Sequence, residues 1–194
     1  RSDQDIADAY FNRGLTHAAK GDSKRAIADI TTAIEREPKL AAAWDARALA
    51  RMDLDQVADA VADSAQAVEL APENAGFHNN HAMILSVAGK TAEAMKAFDA
   101  ALDLNPGYVR AYFNRGNARE RSGNSDGALR DFAKAMELDP EYLPAYTERA
   151  AVHFSQGRFA EADADFEAAA RLDRDQEILW QLWRHVSRAR ANLP

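Results

Sequence analysis

Four prolines, Pro38, Pro72, Pro106 and Pro140, stand 34 residues apart without a slip. Each follows a stretch with helical spacing, as in Leu70-Ala71-Pro72 and Leu104-Asn105-Pro106. A proline cannot continue such a helix, because it has no amide hydrogen to donate and its ring clashes with the preceding turn. A chain punctuated at a fixed period is a row of similar units that bury their apolar faces against neighbours, and it needs no single central core.

Setting position 1 at Ala7, Ala41, Ala75, Val109 and Leu143 aligns five units. Position 20 is then alanine throughout (Ala26, Ala60, Ala94, Ala128, Ala162), as is position 27 (Ala33, Ala67, Ala101, Ala135, Ala169). Position 8 is small as well, with Gly14, Ala48, Ala82, Gly116 and Ala150. Slots that accept only small residues mark close backbone approach. Large residues fill the space around them at position 4 (Tyr10, Trp44, His78, Tyr112, Tyr146) and position 24 (Ile30, Ser64, Phe98, Phe132, Phe166). Position 15 carries Gly21, Asp55, Gly89, Gly123 and Gly157, where a left-handed residue ends a first helix. Ser23, Thr91 and Ser125 follow, and their hydroxyls are expected to accept from the amides that open a second helix.

This pattern over residues 7 to 174 resembles the tetratricopeptide repeat family. The resemblance implies an all-α fold, a right-handed α-solenoid (superhelix) of antiparallel helix pairs whose inner surface is lined by the first helices. The expected organisation is an N-terminal lead over 1–6, repeats at 7–40, 41–74, 75–108, 109–142 and 143–174, and a C-terminal capping helix over 175–194. In that last segment Ile178, Leu179, Leu182, Trp183 and Val186 recur at helical spacing, and Arg184, Arg188 and Arg190 are expected on the far, solvated face.

Composition narrows the function classes. A net charge of −7 argues against general affinity for nucleic acid or anionic membranes, which requires concentrated basic charge. Absence of cysteine removes disulfides, thiolate metal sites and cysteine nucleophiles together. The longest apolar run, Leu40 to Trp44, is far short of the ~20 residues a membrane-spanning helix needs. The chain opens at Arg1, which leaves the compartment unknown between cytoplasm and, with a leader removed, periplasm.

One charge pattern travels with the repeat. Position 7 reads Arg13, Arg47, His81, Arg115 and Arg149, and position 23 reads Asp29, Asp63, Ala97, Asp131 and Asp165. Arginine and aspartate appear together in four units and vanish together in the third, so each pair is expected to bridge the two helices of one hairpin. The alternative is a row of arginines that binds an anionic partner.

By the resemblance, positions 2, 5, 6, 9 and 12 of each first helix face the groove. Position 6 supplies Asn12, Asn80 and Asn114, whose amides carry both donor and acceptor and can pair with the backbone of an extended peptide. Phe11, Leu49, Met83 and Phe113, with Leu15, Met52 and Phe154, are expected to form an apolar floor, and Asn79, Arg110 and Asn117 to make polar contacts. A chaperone carboxylate clamp is not expected, because its nearest window, Asp45 and Leu49, then Asn80, then Arg110 and Asn114, begins with an acid where the clamp needs lysine.

No phosphate loop, HExxH or nucleophile elbow occurs. His78 and His81 stand three apart but occupy packing positions, as do His17 and His153, so neither metal nor cofactor is expected. The sequence therefore reads as a non-catalytic scaffold that binds an extended or helical segment of a partner protein. Self-assembly through the open N-terminal unit or the Trp180/Trp183 cap, or service as the recognition part of a larger enzyme, remain the alternatives.

Overall fold

In the computed structural model, residues 3–192 are described, and among them the chain forms eleven α-helices and no strand. Successive helices pair as α1 (Asp3–Ala19) with α2 (Ser23–Arg36), α3 (Ala41–Met52) with α4 (Val57–Leu70), and α5 (Ala75–Val87) with α6 (Thr91–Leu104). They continue as α7 (Val109–Arg121) with α8 (Ser125–Leu138), α9 (Leu143–Ser155) with α10 (Phe159–Leu172), and a final α11 (Glu177–Ala191). The chain divides into two compact units, Arg1–Pro106 with three hairpins and Gly107–Pro194 with two hairpins and α11. Helix α1 begins at Asp3, inside the segment expected to be a lead.

Each hairpin turns on one left-handed residue. Gly21, Gly89, Gly123 and Gly157 have φ between 74° and 82°, and Asp55 takes the same region at 58°, a conformation that a short polar side chain tolerates. After the turn, the capping side chain stands one residue earlier than expected. Asp22 accepts from the Arg25 amide at 3.1 Å and Asn124 from the Gly127 amide at 3.0 Å, whereas Ser23 is already helical and donates its hydroxyl to Asp53 at 2.9 Å. Thr91 and Ser125 are likewise the first helical residues of α6 and α8, with Lys90 and Asn124 at the cap positions.

The alanines at positions 20 and 27 are fully buried in all five hairpins. Their lack of bulk lets the helices approach while Ile30, Phe98, Phe132 and Phe166 fill the remaining volume. Glycine at position 8 is a tighter version of the same fit, since a Cβ on Gly116 would lie 2.6 Å from the Phe132 ring.

In four hairpins an arginine of the first helix grips an aspartate of the second with Nε and Nη2. The distances are 2.7 and 2.6 Å for Arg13–Asp29, 2.8 and 2.8 Å for Arg47–Asp63, 3.0 and 2.7 Å for Arg115–Asp131, and 2.9 and 2.6 Å for Arg149–Asp165. The guanidinium also lies over the position-4 ring in three of them, at 5.0 Å on Tyr10, 4.9 Å on Trp44 and 5.5 Å on Tyr112. A planar donor fork with an aromatic on one face explains why arginine occupies this slot in preference to lysine. The third hairpin substitutes a neutral contact, Ser64 Oγ to His81 Nδ1 at 2.8 Å, made between α4 and α5. Burial, with His78 nearby, holds the His81 imidazole below its ordinary range, consistent with a neutral ring in a seam where the aspartate is missing.

Helix α11 departs from the sequence expectation at Arg184, Ile178 and Leu182. Arg184 turns inward to Asp163 at 3.0 Å and Glu167 at 3.1 Å on α10, and Arg190 lies over the Phe159 ring at 5.9 Å. The fully buried residue of this helix is Ser187, while Ile178 is 88% and Leu182 59% exposed. Two carboxylates on α10 draw the arginine and the small serine permits the close contact, so Ile178 and Leu182 are left outward while Trp180 and Trp183 pack on Phe166.

Candidate functional site

The groove residues are distributed over both units, and each unit offers its own surface. In the first, Asn12 is exposed on α1, Leu49 and Met83 are half-buried on α3 and α5, and Phe11 packs beside the core around Ile30. Asn79 is buried, and its amide donates to Asn80 Oδ1 at 3.2 Å. Asn80 in turn donates Nδ2 to both oxygens of Asp45, at 3.1 and 3.0 Å. The sequence presented Asn79 and Asn80 as groove amides, but the structure joins them into a chain that ends on a carboxylate.

Burial pushes the Asp45 carboxyl up to about 6, against the opposing pull of the Asn80 hydrogen bonds. A raised folded-state pKa means the native protein binds this proton more tightly than the unfolded chain does. Its contribution is therefore fully present below about pH 4 and lost as the pH rises through about 6, an effect on the order of 3 kcal/mol. Asp45→Asn, which keeps an acceptor for Asn80, is expected to stabilise the protein at neutral pH and to flatten this slope. Urea midpoints at about pH 4.5 and pH 7.5 check it; equal parent-to-variant differences at both values would count against the assignment.

In the second unit, Arg110 is exposed beside Tyr142, and Asn114 and Asn117 are half-buried on α7. Phe113, expected in the floor, meets Phe132 at 5.9 Å and Tyr142 edge-on at 5.4 Å, so its ring belongs largely to the core. A further concavity of this unit lies along the chain at α9 to α11. Helices α9, α10 and α11 form a half-open, largely apolar cavity of about 300 Å³, with Thr147, Ala151, Phe154 and Ser155 of α9, Phe166 of α10, and Trp180 and Trp183 of α11 in its wall. Phe154 meets Trp183 edge-to-face at 5.7 Å, while Phe166 stacks on Trp183 at 5.8 Å and on Trp180 at 6.5 Å. Trp180 Nε1 donates to Asp173 at 3.4 Å and Thr147 Oγ1 to the Pro144 carbonyl at 3.0 Å, so the polar atoms of the wall are bonded within the protein.

Of this lining, sequence reading named Phe154 for the groove and assigned Trp180 and Trp183 to the cap. The available signal was the small pair Thr147 and Ala151 at positions 5 and 9 beside Phe154 at position 12, which leaves space under an aromatic. Among the described residues, no group of three or more His, Asp or Glu side chains converges as a metal site would require, and no helix is long and apolar enough to cross a membrane. His78 Nε2 and His81 Nδ1 are bonded to the Pro72 carbonyl and Ser64.

Comparison with known proteins gives a consistent picture. Residues 7–40 match one family model described as tetratricopeptide repeat, and residues 46–109, 79–142 and 113–177 match a second with the same description. No curated protein matches the sequence. Among solved structures, the chain is similar to PilW, described as a widely conserved type IV pilus biogenesis factor, at 23% identity and a TM-score of 0.80 over 95% of this chain and 91% of that one. It is also similar to MamA from Desulfovibrio magneticus RS-1 (19% identity, TM-score 0.74, 89% and 97% covered). A third similar structure is YrrB, described as a TPR protein with an unusual peptide-binding site (20%, 0.66, 92% and 90%). At these identities the likeness is one of fold.

Proposed function

The chain belongs to the tetratricopeptide repeat family, a protein-interaction scaffold fold, and we propose that it holds an extended or helical segment of a partner protein against the face of its first helices, with a large apolar side chain of that segment seated in the α9/α11 cavity. The cavity is the observation that carries this reading. Its volume accommodates one large side chain, and its rings offer apolar area that is already ordered before binding. Anchors of this kind, buried in a pocket and ringed by weaker contacts, dominate the energy of most interfaces. Thr147, Ala151 and Phe154 occupy positions 5, 9 and 12, the groove-facing positions of the family, and the uncharged wall favours an uncharged anchor.

The test is selection of binding peptides from a random displayed library, followed by affinity measurement against the parent and Ala151→Trp. Ala151 is exposed at the cavity rim, so the indole fills the space without entering the core. The selected peptides are expected to share one large apolar residue, and Ala151→Trp to weaken them by at least about tenfold. Unchanged affinity in Ala151→Trp sinks the cavity as the anchor site, and losses confined to Asn12→Ala or Asn80→Ala would move the segment to the first unit.

A further inference from the structure

A second surface, which shares Trp183 with the cavity wall, does not rest on the groove reading. Leu104, Leu138 and Leu172 are exposed one to a hairpin at a single repeat position, whereas Ile178, Leu179, Leu182 and Trp183 crowd into two turns of α11. Ile178, Leu182, His185 and Ala189 follow the spacing of one helical face, and all four are exposed. Leu179 and half-buried Val186 flank that face on one side, and Glu177 and Arg188 on the other. Apolar surface concentrated in this way is rare on an unassociated protein.

We propose that this face pairs two copies of the chain, with α11 antiparallel to its counterpart about a two-fold axis that passes between Leu182 and Trp183. The charge pattern selects the occupant and the register together. In an antiparallel pair of identical helices, like flanks meet. Glu177 precedes Leu182 by as many residues as Arg188 follows Trp183, so this axis sets Glu177 of each copy opposite Arg188 of the other. On the opposite flank the same axis sets Leu179 against Val186, apolar on apolar. One register thus satisfies both flanks twice over, as a closed two-fold contact requires. The antiparallel arrangement also places the acidic first turn of one helix, with Glu177, beside Arg188 in the basic last turn of the other.

Sedimentation equilibrium from micromolar to millimolar protein tests the pairing. The parent is expected to pass from monomer to dimer, and Leu182→Glu to remain monomeric with an unchanged melting profile, since Leu182 lies on the surface. Glu177→Arg is expected to weaken the dimer by about tenfold or more, and the double exchange Glu177→Arg with Arg188→Glu to recover it. The chain has no cysteine, so Leu182→Cys adds a single thiol next to the axis. A short bifunctional maleimide should link it as a dimer, and should leave Glu93→Cys, exposed on α6, as monomer. A parent that stays monomeric throughout would overturn the proposal and assign the face to a different occupant. A dimer that survives Leu182→Glu, a double exchange that fails to recover, or mass that grows past dimer would equally overturn it.

Discussion

Asp63→Ala is expected to lower the unfolding free energy by about 3–5 kcal/mol, whereas Asp29→Ala, which removes the same group one repeat earlier, should move the denaturation midpoint little. The two pairs share the same bidentate geometry, so burial and the second cation on the carboxylate decide. The side chains of Arg47 and Asp63 are 10% and 3% exposed, and Arg51 adds a second guanidinium to the same carboxylate at 2.7 Å. Arg47 also donates to Thr31 Oγ1 at 3.1 Å. Deleting Asp63 leaves two desolvated cations facing one another, and neither can deprotonate to relieve the charge. Arg13, by contrast, is 61% exposed, so water replaces most of what Asp29 supplies. Asp131, which holds Arg115 and Arg119 at 2.7 Å each, should behave like Asp63. Urea unfolding followed by far-UV circular dichroism measures the series; equal losses at Asp29 and Asp63 would show that pairing alone, without burial, sets the energy.

Phe132→Ala should cost a similar amount, about 3–5 kcal/mol, and should reverse the sign of a second substitution. Phe132 is fully buried, packs against Phe113, and covers the face of α7 left bare by Gly116. With the ring in place, Gly116→Ala forces a Cβ to 2.6 Å from Phe132, and the displacement outweighs the gain of about 1 kcal/mol that alanine brings over glycine in a helix. With the ring removed, the same Gly116→Ala fills part of the void and keeps the propensity gain, so it stabilises. A double-mutant cycle reads the coupling, and additive effects would mean that glycine is held at this position for some reason other than the ring.

The fold was legible because its signals are local and repeat. A proline every 34 residues, an alanine at two fixed slots and a glycine at the turn state the same hairpin several times over, so Ser64 and Asp55 could be recognised as exceptions to a rule. Asp55 then behaves as the rule requires, in the left-handed region. The arginine and aspartate were legible for the same reason, since joint loss in the third unit ties together positions distant in sequence. What escaped depends on the orientation of single side chains in places where no repeat supplies a comparison. Asn80 reads as a groove amide until Asp45, one repeat earlier, is seen beneath it. The outward position of Ile178 and Leu182 could not be read from periodicity, which locates a stripe but does not say which of its edges faces α10 and which faces water. Arg184 decides that, through Asp163 and Glu167, a pairing with no earlier copy in the chain.

The contact between Ser64 and His81 has a consequence for how such an array changes over generations. Tandem repeats gain and lose whole copies by unequal recombination, and an excision that preserves the period leaves every hairpin intact. Excision of residues 41–74 would, however, bring His81 up to the hairpin that ends in α2, where Ile30 stands at the slot of Ser64. The imidazole would then meet a methyl group in a buried seam and lose its hydrogen bond. The third hairpin is in this sense addressed to the second, so copy number at this seam is constrained by one hydroxyl, and a viable shortening would have to carry a compensating change at Ile30 or His81.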